Sequence, residues 1–142
     1  MVEMLETATM LRGATDGSLV LLDEIGRGTS THDGMAIAWA VIEELASGAA
    51  RPRAVVATHY HELAALAQVH PRISLLRAAV EEHANDVRFP HRIEVGAADR
   101  SYGIEVARLA GLPAGVLERA RQVAEAIEPV SAAIARRLIA SA

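Results

Sequence analysis

Two short apolar runs, Leu19-Val20-Leu21-Leu22 and Ala54-Val55-Val56-Ala57, constrain the fold more than any other feature of the 142 residues. Each is strand length, each lies between turn residues, and the stretch separating them has helical periodicity. From Asp33 to Ala46, Ile37, Val41 and Leu45 recur every four residues, Ala38 and Ile42 widen the face, and Gly48 follows the end. Strand, helix and strand over this length make a βαβ unit. Its strands run parallel, because a crossover helix returns the chain to the same edge of the sheet. Runs so uniformly apolar suit strands buried on both faces. The polar residues after each strand, Asp23-Glu24 and Thr58-His59, are then brought side by side at the carboxyl edge, where open α/β sheets bind ligands.

The flanking segments fill in the architecture. Met1, Met4, Ala8 and Leu11 are spaced by three and four, a helical stripe ending near Gly13 and Gly17, so the chain is expected to start inside, or just before, a helix, with something upstream missing. Residues Ile73 to Glu81 and Val87 to Val95 flank His83-Ala84-Asn85-Asp86 as the arms of a β-hairpin, and Gly96 to Arg100 reads as a loop. Ser101 is placed to cap a short helix carrying Ile104, Ala107 and Leu109; Gly111 closes it, and Pro113 opens a second helix. Along that helix Val116, Ala120, Val123 and Ile127 share a face, and Arg121 and Glu125 are placed to pair. Pro129 is expected to end it, leaving a weaker helix over 131–140.

Composition excludes several functions. All 14 basic residues are Arg, so no chemistry needing a Lys ammonium, a phosphate-loop Lys included, is available within the chain. The net charge is -4 with acidic and basic residues interspersed, which gives no basic stripe for nucleic-acid phosphates. No Cys means no disulfide or thiolate metal site and fits a cytoplasmic protein. No apolar run approaches a membrane span, and Glu3 and Glu6 stand where a signal peptide would be basic then apolar.

An Asp-Glu pair directly after a buried strand suits phosphate hydrolysis, one carboxylate holding Mg²⁺ through its water shell and the next orienting the attacking water. A solvated turn also explains such a pair, and a strand-end histidine explains His59. The surrounding residues favour the first reading. Leu19 to Gly34, LVLLDEIGRGTSTHDG, resembles the Walker B strand and D-loop of the MutS family of DNA mismatch-repair ATPases, relatives of the ABC transporter ATPases. Val2-Glu3-Met4 with Glu6-Thr7-Ala8 resembles the helix after that family's signature loop, Ala57-Thr58-His59-Tyr60 its H-loop, and Ser101-Tyr102-Gly103 through Leu112-Pro113 its helix-turn-helix. Gly28-Thr29-Ser30-Thr31 favours the mismatch-recognising branch.

The resemblance implies a partial P-loop NTPase domain of ABC type: α/β, with a mostly parallel sheet, a β-hairpin and a C-terminal helix-turn-helix. Residues 1–100 would be the C-terminal half of the ATPase domain, 101–128 a dimerisation element and 129–142 a helical tail. It implies ATP and Mg²⁺ as cofactors, Asp23 as the Mg²⁺-side carboxylate, Glu24 as the catalytic carboxylate and His59 as the γ-phosphate sensor. Gly26, Arg27, Gly28, Thr29, Ser30, Thr31 and Asp33 would form the D-loop facing a partner protomer. The implied partners are a second copy, through D-loop and helix-turn-helix, and mismatched double-stranded DNA gripped by other domains of a full-length protein. No Gly-x-x-x-x-Gly-Lys-Ser/Thr loop is present, so the 142 residues alone are expected neither to bind ATP tightly nor to hydrolyse it. The alternative is a non-catalytic module whose activity is association through the helix-turn-helix.

Overall fold

The computed structural model describes residues 1–83, 86–98 and 101–141. The chain divides into two compact units, Met1–Ile73 and Ser74–Ala142.

The first unit is the βαβ unit with a helix before it. Helix α1 (Val2–Gly13) leads into β1 (Leu19–Asp23), α2 (Thr31–Ser47) crosses over, and β2 (Arg53–Ala57) pairs with β1 in parallel. The register sets Leu19 opposite Arg53 and Asp23 opposite Ala57. A five-residue 3₁₀ turn, His61–Ala65, runs into the short α3 (Leu66–Val69). Ser30 caps α2: its side chain accepts the Asp33 N–H at 3.3 Å, so Thr31 to Asp33 form the first helical turn, not loop. The buried seam of α2 is Gly34, Ala38, Val41 and Leu45, joined by Trp39. Ile37 and Ile42, expected on that face, are only half-buried. The seam is turned toward Gly34 because the helix start is pressed against the loop after β1. Val20, Ile25, Tyr60, Leu63, Ala65 and Leu66 complete its apolar core.

One expectation about the sheet fails. Val20 is buried, but Leu19 is 65% and Leu21 71% exposed, and Val55 of β2 is 57% exposed. The two strands are covered on one face only, since the crossover helix packs on one side and no described element covers the other.

The second unit begins with nested antiparallel ladders. Strand β3 (Leu76–Ala78) pairs with β6 (Ile93–Val95), and β4 (Glu81–His83) with β5 (Asp86–Arg88), as two rungs of the expected hairpin. The Ala84-Asn85 tip and the loop residues 99–100 lie outside the described residues. Among the described residues parallel pairing is confined to β1–β2, so the mostly parallel sheet expected is one parallel pair beside two antiparallel ones. Tyr102 donates to Glu82 at 2.8 Å and meets Phe89 edge-on, which ties the hairpin to the helices. Both the hairpin and these helices belong to the second compact unit, Ser74–Ala142.

Helices α4 (Gly103–Leu109) and α5 (Ala114–Ser141) follow, joined by a short turn. Ser101 accepts the Gly103 N–H at 3.4 Å, although Tyr102 occupies the N-cap position. Gly111, at φ +86°, makes the left-handed turn, and Leu112 N–H returns to Ala107 O at 3.1 Å. Two expectations for α5 are corrected. The helix runs through Pro129 to Ser141, because loss of one N–H and crowding at the preceding turn are local defects that 28 residues absorb. Arg121 pairs with Glu105 and Glu118, at 3.5 and 3.6 Å, instead of Glu125, because α4 brings a nearer carboxylate.

Candidate functional site

The site lies where β1 and β2 end together. The Glu24 N–H donates to Ala57 O at 2.8 Å, carrying the ladder one residue beyond β1. The chain then turns away sharply: Glu24 takes φ +52° and Gly26 φ +95°. A non-glycine residue in the left-handed region costs about 1–2 kcal/mol, and such strain collects at sites where a side chain must be aimed. Here the side chain held so is the second carboxylate of the pair.

Three of the expected residues converge. Arg27 Nε is ion-paired with Glu24 Oε2, and His59 Nδ1 stands 3.9 Å from Glu24 Oε1. The latter distance is beyond a direct hydrogen bond, so the imidazole faces the carboxylate without being bonded to it. Thr58 forms the bend that presents His59, its hydroxyl accepting the Tyr60 N–H at 3.0 Å. The His59 ring also lies 4.3 Å from that of Tyr60. Glu24 is partly buried at 28% side-chain exposure, whereas Arg27 is 70% exposed and its pairing is screened by water.

The other expected residues separate into groups. Asp23 ends β1 with its side chain exposed and in no ion pair among the described residues. Gly26 is buried at the base of the loop, while Gly28, Thr29, Ser30, Thr31 and Asp33 lie exposed along the loop and the first turn of α2. Among the described residues no group of three or more His, Asp or Glu is arranged to hold a metal. Any divalent cation at Asp23 would therefore need water and ligand oxygens to complete its shell.

Three residues that the sequence did not single out as site residues build this loop. Glu3 of α1 accepts the Gly26 N–H through Oε1 at 2.6 Å. Tyr60, 6% exposed, donates its hydroxyl to Gly26 O at 3.4 Å. Gly34 lies so close that a Cβ there would fall 2.4 Å from Gly26 O and 2.5 Å from the Tyr60 hydroxyl. Gly34 was detectable as a glycine in the first turn of a helix, a placement that usually records close packing. Glu3, 23 residues from its partner, gave no local signal.

The βαβ crossover, with carboxylates at one strand end and a histidine at the next, places the chain among α/β proteins that carry polar groups at a sheet's carboxyl edge. The family described as MutS domain V matches residues 1–128, and the chain belongs to that family. It is 59% identical over 128 residues to the DNA mismatch repair protein MutS of Parasynechococcus marenigrum and likewise 59% identical over 128 residues to that of Sorangium cellulosum. Each alignment covers 90% of this chain and 14% of the relative. The protein of the same name from Synechococcus sp. RCC307 is 56% identical over 131 residues, covering 90% of the chain and 15% of the relative. The chain thus spans about a seventh of the length of the curated relatives it matches. No described helix is long and apolar enough to cross a membrane.

Proposed function

We propose that the chain is the hydrolytic half of a MutS-type ATPase domain, serving a mismatch-repair protein that couples ATP binding and hydrolysis to recognition of mismatched double-stranded DNA. The observation that carries this reading is the meeting of Glu24, strained and partly buried, with His59 at the common end of two parallel strands. In it Asp23 binds the water shell of Mg²⁺, Glu24 orients the attacking water, and His59 donates a ring N–H to a terminal phosphate oxygen. Bound Mg²⁺ supplies charge neutralisation of the ATP phosphates. The donor set fits that role: an exposed carboxylate in no ion pair among the described residues, beside a second carboxylate and an imidazole. No Lys-bearing phosphate loop exists among the 142 residues, so the cradle for the remaining phosphates must come from other residues of the working domain. The fold assignment to an ABC-type P-loop NTPase, and a cytoplasmic location, belong to the same proposal.

The exposed run Gly28 to Thr31, with Arg27 and Asp33, is suited to face a second protomer. The other contact with that copy is the helix-turn-helix, residues 101–128, whose Val116, Val123 and Ile127 line an apolar groove with Ile104 and remain 39–55% exposed on α5. Within the proposed tail, residues 129–141 extend that helix. DNA is gripped elsewhere, by domains outside this chain. The non-catalytic alternative shares the groove but assigns nothing to the strained Glu24.

A chimera tests the reading. Residues 1–128 replace the matching segment of the Parasynechococcus marenigrum relative, and Mg²⁺-dependent ATP hydrolysis is measured. Retained turnover that falls at least a hundredfold with Glu24→Gln supports it. A folded chimera that binds mismatched DNA yet hydrolyses no ATP overturns it. The 142-residue chain alone is expected to stay at background.

A further inference from the structure

We infer that Glu3 and Tyr60 are positioning residues that hold Gly26 by both of its backbone polar groups and thereby set Glu24 and Arg27 in place. The N–H of Gly26 goes to Glu3 Oε1 at 2.6 Å and its carbonyl accepts the Tyr60 hydroxyl at 3.4 Å. A buried loop residue needs both groups satisfied, and here neither partner is part of the loop itself. The second Glu3 oxygen lies 3.1 Å from where a Cβ on Gly28 would stand, so the one carboxylate spans Gly26 to Gly28 and brackets Arg27. Gly34 closes the remaining side at backbone contact.

The consequence is mechanical. Glu3 lies in the first turn of α1, and Tyr60 follows the histidine presented by β2. A displacement of α1 therefore pulls on the residue that fixes Arg27 and, two residues upstream, the left-handed Glu24. The inference rests on the proposed role of Glu24 only for its meaning in ATP turnover; the clamp itself is a property of the chain. The charge-assisted Glu3 bond is the stronger half, since the Tyr60 bond is long and neutral.

The test is amide hydrogen exchange and the Arg27 Nε–H resonance by NMR in the 142-residue chain. Glu3→Ala is expected to speed exchange at Gly26 roughly tenfold to a hundredfold, the worth of a hydrogen bond to a charged group. It should also shift the Arg27 Nε–H signal, while amides of the β1–β2 ladder change less than threefold. Glu3→Gln, which keeps an acceptor oxygen, should restore most of the Gly26 protection and the Arg27 signal. Tyr60→Phe should produce a smaller change at Gly26. Unchanged Gly26 exchange in a folded Glu3→Ala chain overturns the inference, and so does an equal acceleration at every amide of the unit, which would make Glu3 a contributor to global stability alone. None of these readouts involves nucleotide, so the clamp and the ATPase reading fail independently.

Discussion

Replacing Gly34 with Ala should destabilise the protein, against the ordinary rule for helices. Within a helix, Ala is favoured over Gly by about 0.5–1 kcal/mol, since glycine loses more backbone freedom on folding. At Gly34 the added Cβ would fall 2.4 Å from Gly26 O and 3.1 Å from Gly26 C, with the Tyr60 hydroxyl at 2.5 Å. Real Cβ contacts do not reach such distances, so the loop must move. It is held in place by Glu3 and Tyr60 and joined directly to β1, and the obstructing atoms are backbone. Overpacking in a close-packed interior costs about 1–3 kcal/mol, which exceeds the propensity gain. A net loss of about 1–2 kcal/mol follows, equal to several degrees in Tm for a unit of this size. Gly115, with open space around its Cβ position in the first turn of α5, is the control: Gly115→Ala should stabilise by roughly 0.4–1 kcal/mol. Urea unfolding of the three chains, followed by Trp39 fluorescence for the first unit and by circular dichroism for α5, gives both values. If Gly34→Ala is as stable as the parent or more so, the loop is free to yield and the close approach at Gly26 has no structural force.

Further outcomes follow from the same geometry. Glu24→Gly should raise the stability of the first unit by about 1 kcal/mol, because glycine removes the cost of a left-handed backbone at that position, and urea titration reads it. Hydrogen bonding from Arg108, with the charges of Arg108 and Arg121, lowers the pKa of Glu105. A carboxyl held low when folded lends its stabilisation above its unfolded value and loses it as pH falls through the folded one. Protection of α4 amides should therefore weaken on the acid side of the ordinary carboxylate range, and in Glu105→Gln it should not vary there with pH. Pro129→Ala should stabilise α5 by up to about 3 kcal/mol, seen as slower exchange of amides in the turns around residue 129. Val123→Asp combined with Ile127→Asp should weaken self-association in sedimentation equilibrium of a full-length chimera; an unchanged mass would remove the groove on α5 from the dimer contact.

What was legible in the sequence followed from local periodicity and turn chemistry. Leu19–Leu22 and Ala54–Ala57 fixed a βαβ unit, and from it the meeting of Glu24 with His59, because parallel pairing leaves little freedom in which ends lie together. Gly111 and Pro113 likewise marked the turn between α4 and α5. What was not legible depends on contacts between distant residues. Apolar content alone could not say that Leu19 and Leu21 face open space, since a strand's second face is covered only if another segment reaches it. Arg121 found Glu105 across a turn in preference to a partner on its own helix. The bond from Glu3 to Gly26 joins two places that no local pattern connects.

The same contrast explains why the loop after β1 is rich in glycine. A phosphate-binding loop uses glycine so that backbone N–H groups can approach an anion. Here the Gly26 N–H is already taken by the Glu3 carboxylate, and its missing Cβ leaves room for Gly34, so this glycine serves packing and not ligand approach. Gly28 is exposed, and its Cβ position meets the Glu3 side chain at 3.1 Å, whereas that of Gly26 meets the backbone of Gly34. Gly28→Ala should therefore cost less stability than Gly26→Ala, because the Glu3 side chain can give by a few tenths of an ångström where the Gly34 backbone cannot. If the two substitutions destabilise alike, the division of labour between the glycines is wrong.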